Sequence, residues 1–137
     1  MIVADTGAIV ALIDADDRHH ARLLQSYEED PDAWLLPWAI LPEVDYLLAR
    51  HVDANAALAF LRDVAEGRYA IEWGDPADLI RARQLVERYR ALQFGLVDGV
   101  VMAIAERVDA DAIATLDVRH FGAVKLRTSP APWPRDL

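Results

Sequence analysis

Two rhythms of apolar positions run along this chain. Short apolar runs end abruptly in aspartate, proline or glycine, and longer segments repeat apolar residues every three or four positions. Residues 1–4 form a hydrophobic run that stops at Asp5-Thr6-Gly7, and residues 8–13 resume with helical character. That reads as a strand turning directly into a helix, with Asp5 at the turn. A charged turn over residues 14–18 precedes a helix at 19–29, where Ala21, Leu24 and Tyr27 or Glu28 stand at helical spacing and Asp30-Pro31-Asp32 ends it. Residues 33–36 are a second strand, closed by Pro37. Ile40, Leu41, Val44, Leu47 and Leu48 then follow the spacing of an amphipathic helix. Pro42 is tolerated only in a first turn, so this helix starts near Ile40–Leu41 and Glu43 lies in its opening turn.

Asp53 caps a further helix over 54–65, with Ala57, Leu58, Leu61 and Val64 facing inward. Residues 69–73 are a third strand. Asp75-Pro76 starts a helix running to residue 91, its apolar stripe carried by Leu79 or Ile80, Ala82 or Arg83, and Val86. A helix over 97–108, a strand over 111–115, a loop or single turn over 117–121 and a last short strand over 124–126 follow. Residues 128–137, with Pro130, Pro132 and Pro134, read as an extended tail. Strands alternate with helices throughout. This predicts one α/β domain spanning residues 1–137, with a central, mainly parallel sheet of four to five strands and helices on both faces.

One segment departs from that pattern. From Val97 to Ala105 the apolar residues run nearly unbroken, and Asp98 is the charged residue among them. A helix apolar all round is a buried helix, and a carboxylate there is costly unless something pairs it. The following strand delivers Asp117. In a parallel sheet the C-terminal ends of strands and the N-terminal ends of helices share one edge. Asp5, Glu43, Asp98 and Asp117 are all predicted at that edge. Several carboxylates in one cleft repel one another unless a cation joins them, and oxygen ligands favour Mg2+ or Mn2+ over zinc. Each residue also has a plainer reading: Asp5 as a helix cap, Asp98 as a favourable charge at a helix N-terminus, Asp117 as a turn residue. Periodicity does not choose between Glu43 and Asp45, which lie about equally far on opposite sides of their helix's apolar stripe.

Composition narrows the function further. The chain has 137 residues, 54% hydrophobic, enough for a packed core in one domain. It has no cysteine, which excludes disulfides, thiolate metal sites and a cysteine nucleophile, and suits a reducing cytoplasm. The apolar start lacks a basic n-region, and no apolar run is long enough to span a membrane. A net charge of -9 argues against nucleic-acid binding by bulk electrostatics, yet suits a metal site and a basic protein partner. Two basic groups stand near the acids: Arg18, His19, His20 and Arg22, and the pair Arg119 and His120 beside Asp117. The first reads as a solvated helix face; Arg119 and His120 are candidates for substrate contact. Trp38 is a candidate for base stacking, against core or dimer packing.

Other α/β functions fit less well. A phosphoacceptor receiver domain needs paired acids after the first strand, where Asp5 is alone. A haloacid-dehalogenase-like phosphatase needs a second aspartate two residues on, where Gly7 stands. A non-catalytic acidic module that binds a basic peptide stays open.

The segments VADTGAIVALID, LPEVDYLL, FGLVDGVVMAIAERV and ATLDVRHF, in this order and spacing, resemble a PIN-domain ribonuclease, specifically a VapC-type toxin of a bacterial toxin–antitoxin pair. The resemblance covers nearly the whole chain. It implies a three-layer α/β/α fold and maps a catalytic acidic quartet onto Asp5, Glu43, Asp98 and Asp117, preferring Glu43 to Asp45, with Asp5, Asp98 and Asp117 as metal ligands. Thr6 and Thr115 match supporting polar positions. The fourth motif departs mildly in carrying Leu116 before Asp117. The implied activity is Mg2+-dependent hydrolysis of structured RNA, tRNA or ribosomal RNA, with Mn2+ as substitute. It would leave a 5′-phosphate and a 3′-hydroxyl and inhibit translation and growth. The implied partners are a cognate antitoxin and a second copy of the chain in a homodimer. A housekeeping RNA-maturation nuclease is the alternative within the same family.

Overall fold

The computed structural model describes residues 1–133. Among these, five strands and seven helices alternate: β1 (Ile2–Ala4), α1 (Thr6–Ile13), α2 (His20–Glu29), β2 (Trp34–Pro37), α3 (Leu41–His51), α4 (Ala54–Ala65), β3 (Ala70–Glu72), α5 (Pro76–Arg88), α6 (Leu96–Arg107), β4 (Ala112–Ala114), α7 (Val118–Ala123) and β5 (Ala131–Trp133). Single 3-10 turns join several of them. The strands form one all-parallel sheet in the order β3-β2-β1-β4-β5. From β1 the chain steps to β2 and β3 on one side, then crosses back to β4 and β5 on the other. Right-handed crossovers therefore put α1–α4 on one face and α5–α7 on the opposite face, a three-layer α/β/α sandwich. The reversal of direction falls between β1 and β4.

The sheet centre is sealed by small and branched side chains. Val3, Ala4, Leu36 and Ala114 are fully buried, and Val100, Val101, Ile104 and Ala105 of α6 pack in the same core. Helix α6 is apolar almost all round because it lies between the sheet and α5. Gly99 makes that fit possible: a Cβ there would stand 3.2 Å from the Ala82 Cβ, the Ala82 carbonyl and Val86 Cγ2. Helix starts follow the sequence. Asp53 and Asp75 cap α4 and α5 through Ala56 N and Ala77 N, and Pro42 and Pro76 sit in first turns.

Five expectations change. Residues 124–126 are not a strand. The fifth strand is Ala131–Trp133, inside the predicted tail, paired to β4 with Pro132 opposite Ile113. Proline is tolerated there because β5 is an edge strand with no further neighbour to receive its missing N–H. The rest of that tail, residues 134–137, lies outside the described residues. Helix α4 buries Ala57 and Phe60, leaving Leu58 and Leu61 exposed. Its apolar residues nearly encircle it, so contact of Phe60 with Tyr69, 5.8 Å between rings, decides the face. Helix α5 buries Asp78, Ala82 and Leu85 instead of Leu79 or Ile80, because Asp78 accepts two bonds from the Arg107 guanidinium, 2.8 and 3.0 Å. On α2 the buried residue is Leu23 and Ala21 is exposed. Residues 117–121, expected as a loop or single turn, belong to a short helix: Asp117 caps α7, which runs on to Ala123.

Candidate metal centre

Asp5 leaves the C-terminal end of β1 and Thr115 that of β4, so both sit at the reversal point, the crevice where open parallel sheets bind ligands. The Asp5 N–H extends the ladder to the Ala114 carbonyl at 2.9 Å. Its carboxylate accepts from Thr6 N at 2.8 Å through Oδ1 and from the Thr115 hydroxyl at 3.0 Å through Oδ2. Asp5 is thus a helix cap and a member of the acidic group at once. Thr115, fully buried, also accepts from Asp117 N at 2.9 Å through its hydroxyl oxygen. One hydroxyl therefore ties the residues following β1 and β4 together.

Asp117 caps α7, its Oδ1 accepting from His120 N at 3.1 Å. One helical turn on, the His120 ring lies beside the same carboxylate, with Nδ1 2.8 Å from Asp117 Oδ2 and 3.7 Å from Asp98 Oδ2. Asp98, in the first turn of α6, is three-quarters covered. Ligand atoms of Asp98, Asp117 and His120 all fall within 4.8 Å of one another, a spacing that fits one metal ion.

The electrostatics join Asp5 and Glu43 to this group. Burial, then the Asp98 charge and to a smaller degree Glu43, push the Asp5 carboxyl up from 3.8 to about 7, against the lowering pull of its bonds to Thr6 and Thr115. Burial first, then the Asp117 charge, also raises Asp98; His120 offsets part of this and Glu43 adds to it. A cluster whose members raise one another is one that a cation would relax. Two buried polar atoms here have no hydrogen-bond partner, Thr6 Oγ1 and His120 Nδ1. The donor set of carboxylates with one imidazole suits a divalent cation.

The four predicted acids are thus brought to one edge. Glu43 is exposed in the first turn of α3, and its charge acts on both Asp5 and Asp98. Asp45 lines a groove with Phe60, Leu61 and Trp73. The geometry therefore separates two residues that periodicity left equal. Arg119 is exposed on α7. Trp38 is not poised for stacking: it packs on Gly74, where an added Cβ would come within 2.6 Å of its Nε1. In the first basic cluster, Arg18 Nε donates to His19 Nε2 at 3.0 Å, and His20 Nδ1 meets the Ala11 carbonyl at 3.0 Å. The oxygen-only donor set expected from the sequence left out His120, which was placed beside Asp117 as a substrate contact, and its approach to Asp98 was not foreseen. The signal was present in the spacing Asp117-x-x-His120, which a helix folds onto one side.

Comparison with known proteins gives a consistent picture. The PIN domain family model matches residues 2–125. The chain is 32% identical over 124 residues to ribonuclease VapC26 of Mycobacterium tuberculosis (strain ATCC 25618 / H37Rv), covering 90% of this chain and 92% of that protein. Among solved structures it is similar to VapC20 of Mycobacterium tuberculosis, described as a sarcin-ricin loop cleaving toxin, with TM-score 0.81, 20% identity, and 95% and 100% of the two chains covered. It is also similar to DNA-bound VapBC from Salmonella typhimurium, with TM-score 0.71, 15% identity, and 94% and 96% covered. A third is FitAcB from Neisseria gonorrhoeae, with TM-score 0.65, 17% identity, and 96% of each chain covered.

Proposed function

The chain belongs to the PIN domain family, and on that premise we propose that it is a metal-dependent endoribonuclease toxin, neutralised by a cognate antitoxin. The observation that carries this reading is the ligand spacing of Asp98, Asp117 and His120 at the edge of the sheet, beside Asp5, with Thr115 bonded to both Asp5 and Asp117. The substrate is structured cellular RNA, tRNA or ribosomal RNA, and residues 1–137 act as one domain in the cytoplasm. The cofactor is a divalent cation, Mg2+ or Mn2+.

Asp5, Asp98 and Asp117 hold the cation. When bound, it supplies Lewis acidity to the scissile phosphate and lowers the pKa of the attacking water. Thr115 and Thr6 N fix the Asp5 carboxylate from two sides, so that it cannot swing away from the ion. Glu43, the one exposed member of the quartet, is suited to hold the attacking water from the solvent side, and one carboxylate accepts its proton. Arg119, exposed on α7, contacts RNA phosphate. The net charge of -9 leaves RNA recognition to these local groups, and suits a basic antitoxin segment lying over the acidic edge. The antitoxin assignment is supported by similarity to the VapBC and FitAcB assemblies. A homodimer accords with exposed apolar side chains such as Trp73, Leu61 and Tyr46.

Asp98→Asn removes one charge from the cluster while keeping the shape of α6. The variant is expected to melt no lower than the parent, yet to lose Mg2+-dependent RNA cleavage by at least about 100-fold and to release growth arrest. Cleavage at the parental rate would sink the site assignment. Mapping of RNA 5′ ends after expression should give one or a few discrete new ends carrying 5′-phosphate; uniform decay of all RNA would point instead to a housekeeping role.

A further inference from the structure

We infer that His120 is itself a metal ligand through Nδ1, so that this centre is a mixed nitrogen and oxygen site selecting Mn2+ over Mg2+. The inference rests on the metal-centre reading above. It starts from the separations in the cluster. Around an octahedral ion with bonds of about 2.1 Å, adjacent ligands stand about 3 Å apart and opposite ones about 4.2 Å. His120 Nδ1 stands 2.8 Å from Asp117 Oδ2 and 3.7 Å from Asp98 Oδ2, within the spread of ligands sharing one ion.

The second observation is the state of Nδ1. It is fully withdrawn from solvent and makes no hydrogen bond of good geometry, although it stands 2.8 Å from Asp117 Oδ2 in an ion-pair contact. A buried ring nitrogen that faces two carboxylates without a well-formed hydrogen bond to either is placed to bind what those carboxylates bind. The local fold also holds it in place. Asp117 caps α7 through His120 N, which fixes the backbone three residues on, and the ring packs against Phe94 at 6.0 Å between centroids. The simpler role, orienting Asp117 alone, leaves the approach of the same nitrogen to Asp98 at 3.7 Å without a use. Imidazole is a poor ligand for Mg2+ and a good one for Mn2+ and other transition metals, so His120 acts on which ion is bound as well as on how tightly.

The test uses the full chain stripped of metal. Mn2+ binding is followed by loss of the free-ion electron paramagnetic resonance signal, Mg2+ by competition, and nitrogen coordination by pulsed resonance. The wild type should show 14N modulation on bound Mn2+. His120→Asn should abolish that modulation and weaken Mn2+ by about 10-fold or more, with Mg2+ changed by less than about 2-fold. Bound Mn2+ without 14N modulation in the wild type overturns the inference even if the variant fails to fold. So does equal weakening of both ions by His120→Asn. If the wild type binds neither ion, or Asp98→Asn binds both as tightly as the wild type, the metal centre itself fails and the inference with it. If Asp98→Asn weakens binding while the wild type lacks the nitrogen signal, the centre stands and only the role of His120 falls.

Discussion

Asp5 is a buried carboxyl under electrostatic strain. It is 7% exposed, it has two donors, and it still stands at about 7, because burial and the charges of Asp98 and Glu43 outweigh Thr6 and Thr115. The consequence for stability has a definite sign. Unfolded, the group titrates near 3.8. Between that value and about 7 the folded chain keeps a proton that the unfolded chain has lost. Stability from this group is therefore full at low pH and declines as pH rises, by roughly 4 kcal/mol once both states are ionised. Asp98, also raised, acts in the same direction. Two carboxyls are held below their ordinary values: Glu106, where burial is outweighed by Arg81 and Arg127, and Asp111 by the N-terminal ammonium. The metal-free chain should lose several degrees of Tm between pH 5 and pH 8. Asp5→Asn should flatten that profile, and added Mn2+ or Mg2+ should raise Tm more at pH 8 than at pH 5. A Tm that rises over this window would contradict the assignment of strain to Asp5.

At the level of elements, α5 and α6 form the frame that presents Asp98. Their contact is close at Gly99 and is tied at the far end by ions. Arg107, at the end of α6, donates to both oxygens of Asp78 and to Glu72 at 2.8 Å, while Asp78 also accepts from Asp75 N at 2.9 Å. Asp78 is 3% exposed, so removing Arg107 strands a buried carboxylate. The cost of breaking such a pair exceeds its net worth when intact. The Arg107 head is partly solvated, which tempers the figure. Arg107→Met should lower unfolding stability by about 2–3 kcal/mol in urea titrations. Arg107→Met combined with Asp78→Leu should recover much of it. No change for the single variant would show that the ion pair is a surface ornament. Beside it, the Arg81–Glu106 pair at 2.8 Å and the Arg127 N–H on Glu106 Oε2 at 2.7 Å clamp the segment that leads to β5.

For the whole molecule the decisive feature is the sheet order. It places β1 beside β4 and leaves β5 to close the outer edge of β4. Thr115 N donates to the Trp133 carbonyl at 2.9 Å, and Trp133 stacks edge-on against Trp34 at 5.8 Å. The last strand therefore supports the backbone of Thr115, which in turn holds Asp5 and Asp117. Ending the chain after Arg127 should expose the β4 edge and unfasten Thr115 together. The expected outcome is a lower Tm, weaker divalent-ion binding and a tendency to self-associate, read by melting, ion titration and sedimentation. A truncated chain with unchanged ion affinity would show that β5 only covers an edge.

Much of this was legible in the sequence, and the reasons are local. Caps at Asp53 and Asp75, the proline positions and the alternation of strand and helix report short-range chemistry, which acts between neighbours along the chain. An aspartate inside the apolar run of α6 also declares itself, because burying a charge is costly wherever it occurs. Three things needed the tertiary structure. Helix faces were misjudged where apolar residues nearly encircle the helix, as in α4, since only the packed partner selects a side. Pro132 was read as a tail because an edge strand is defined by the neighbour it lacks. The different settings of Glu43 and Asp45, which periodicity left equal, and the approach of His120 to Asp98 depend on residues from α3, α6 and α7 brought together across the reversal between β1 and β4. The sequence determined the opening carboxylates, Asp98 above all. Only the sheet order, a long-range outcome of which strands pair, decided what stands around them.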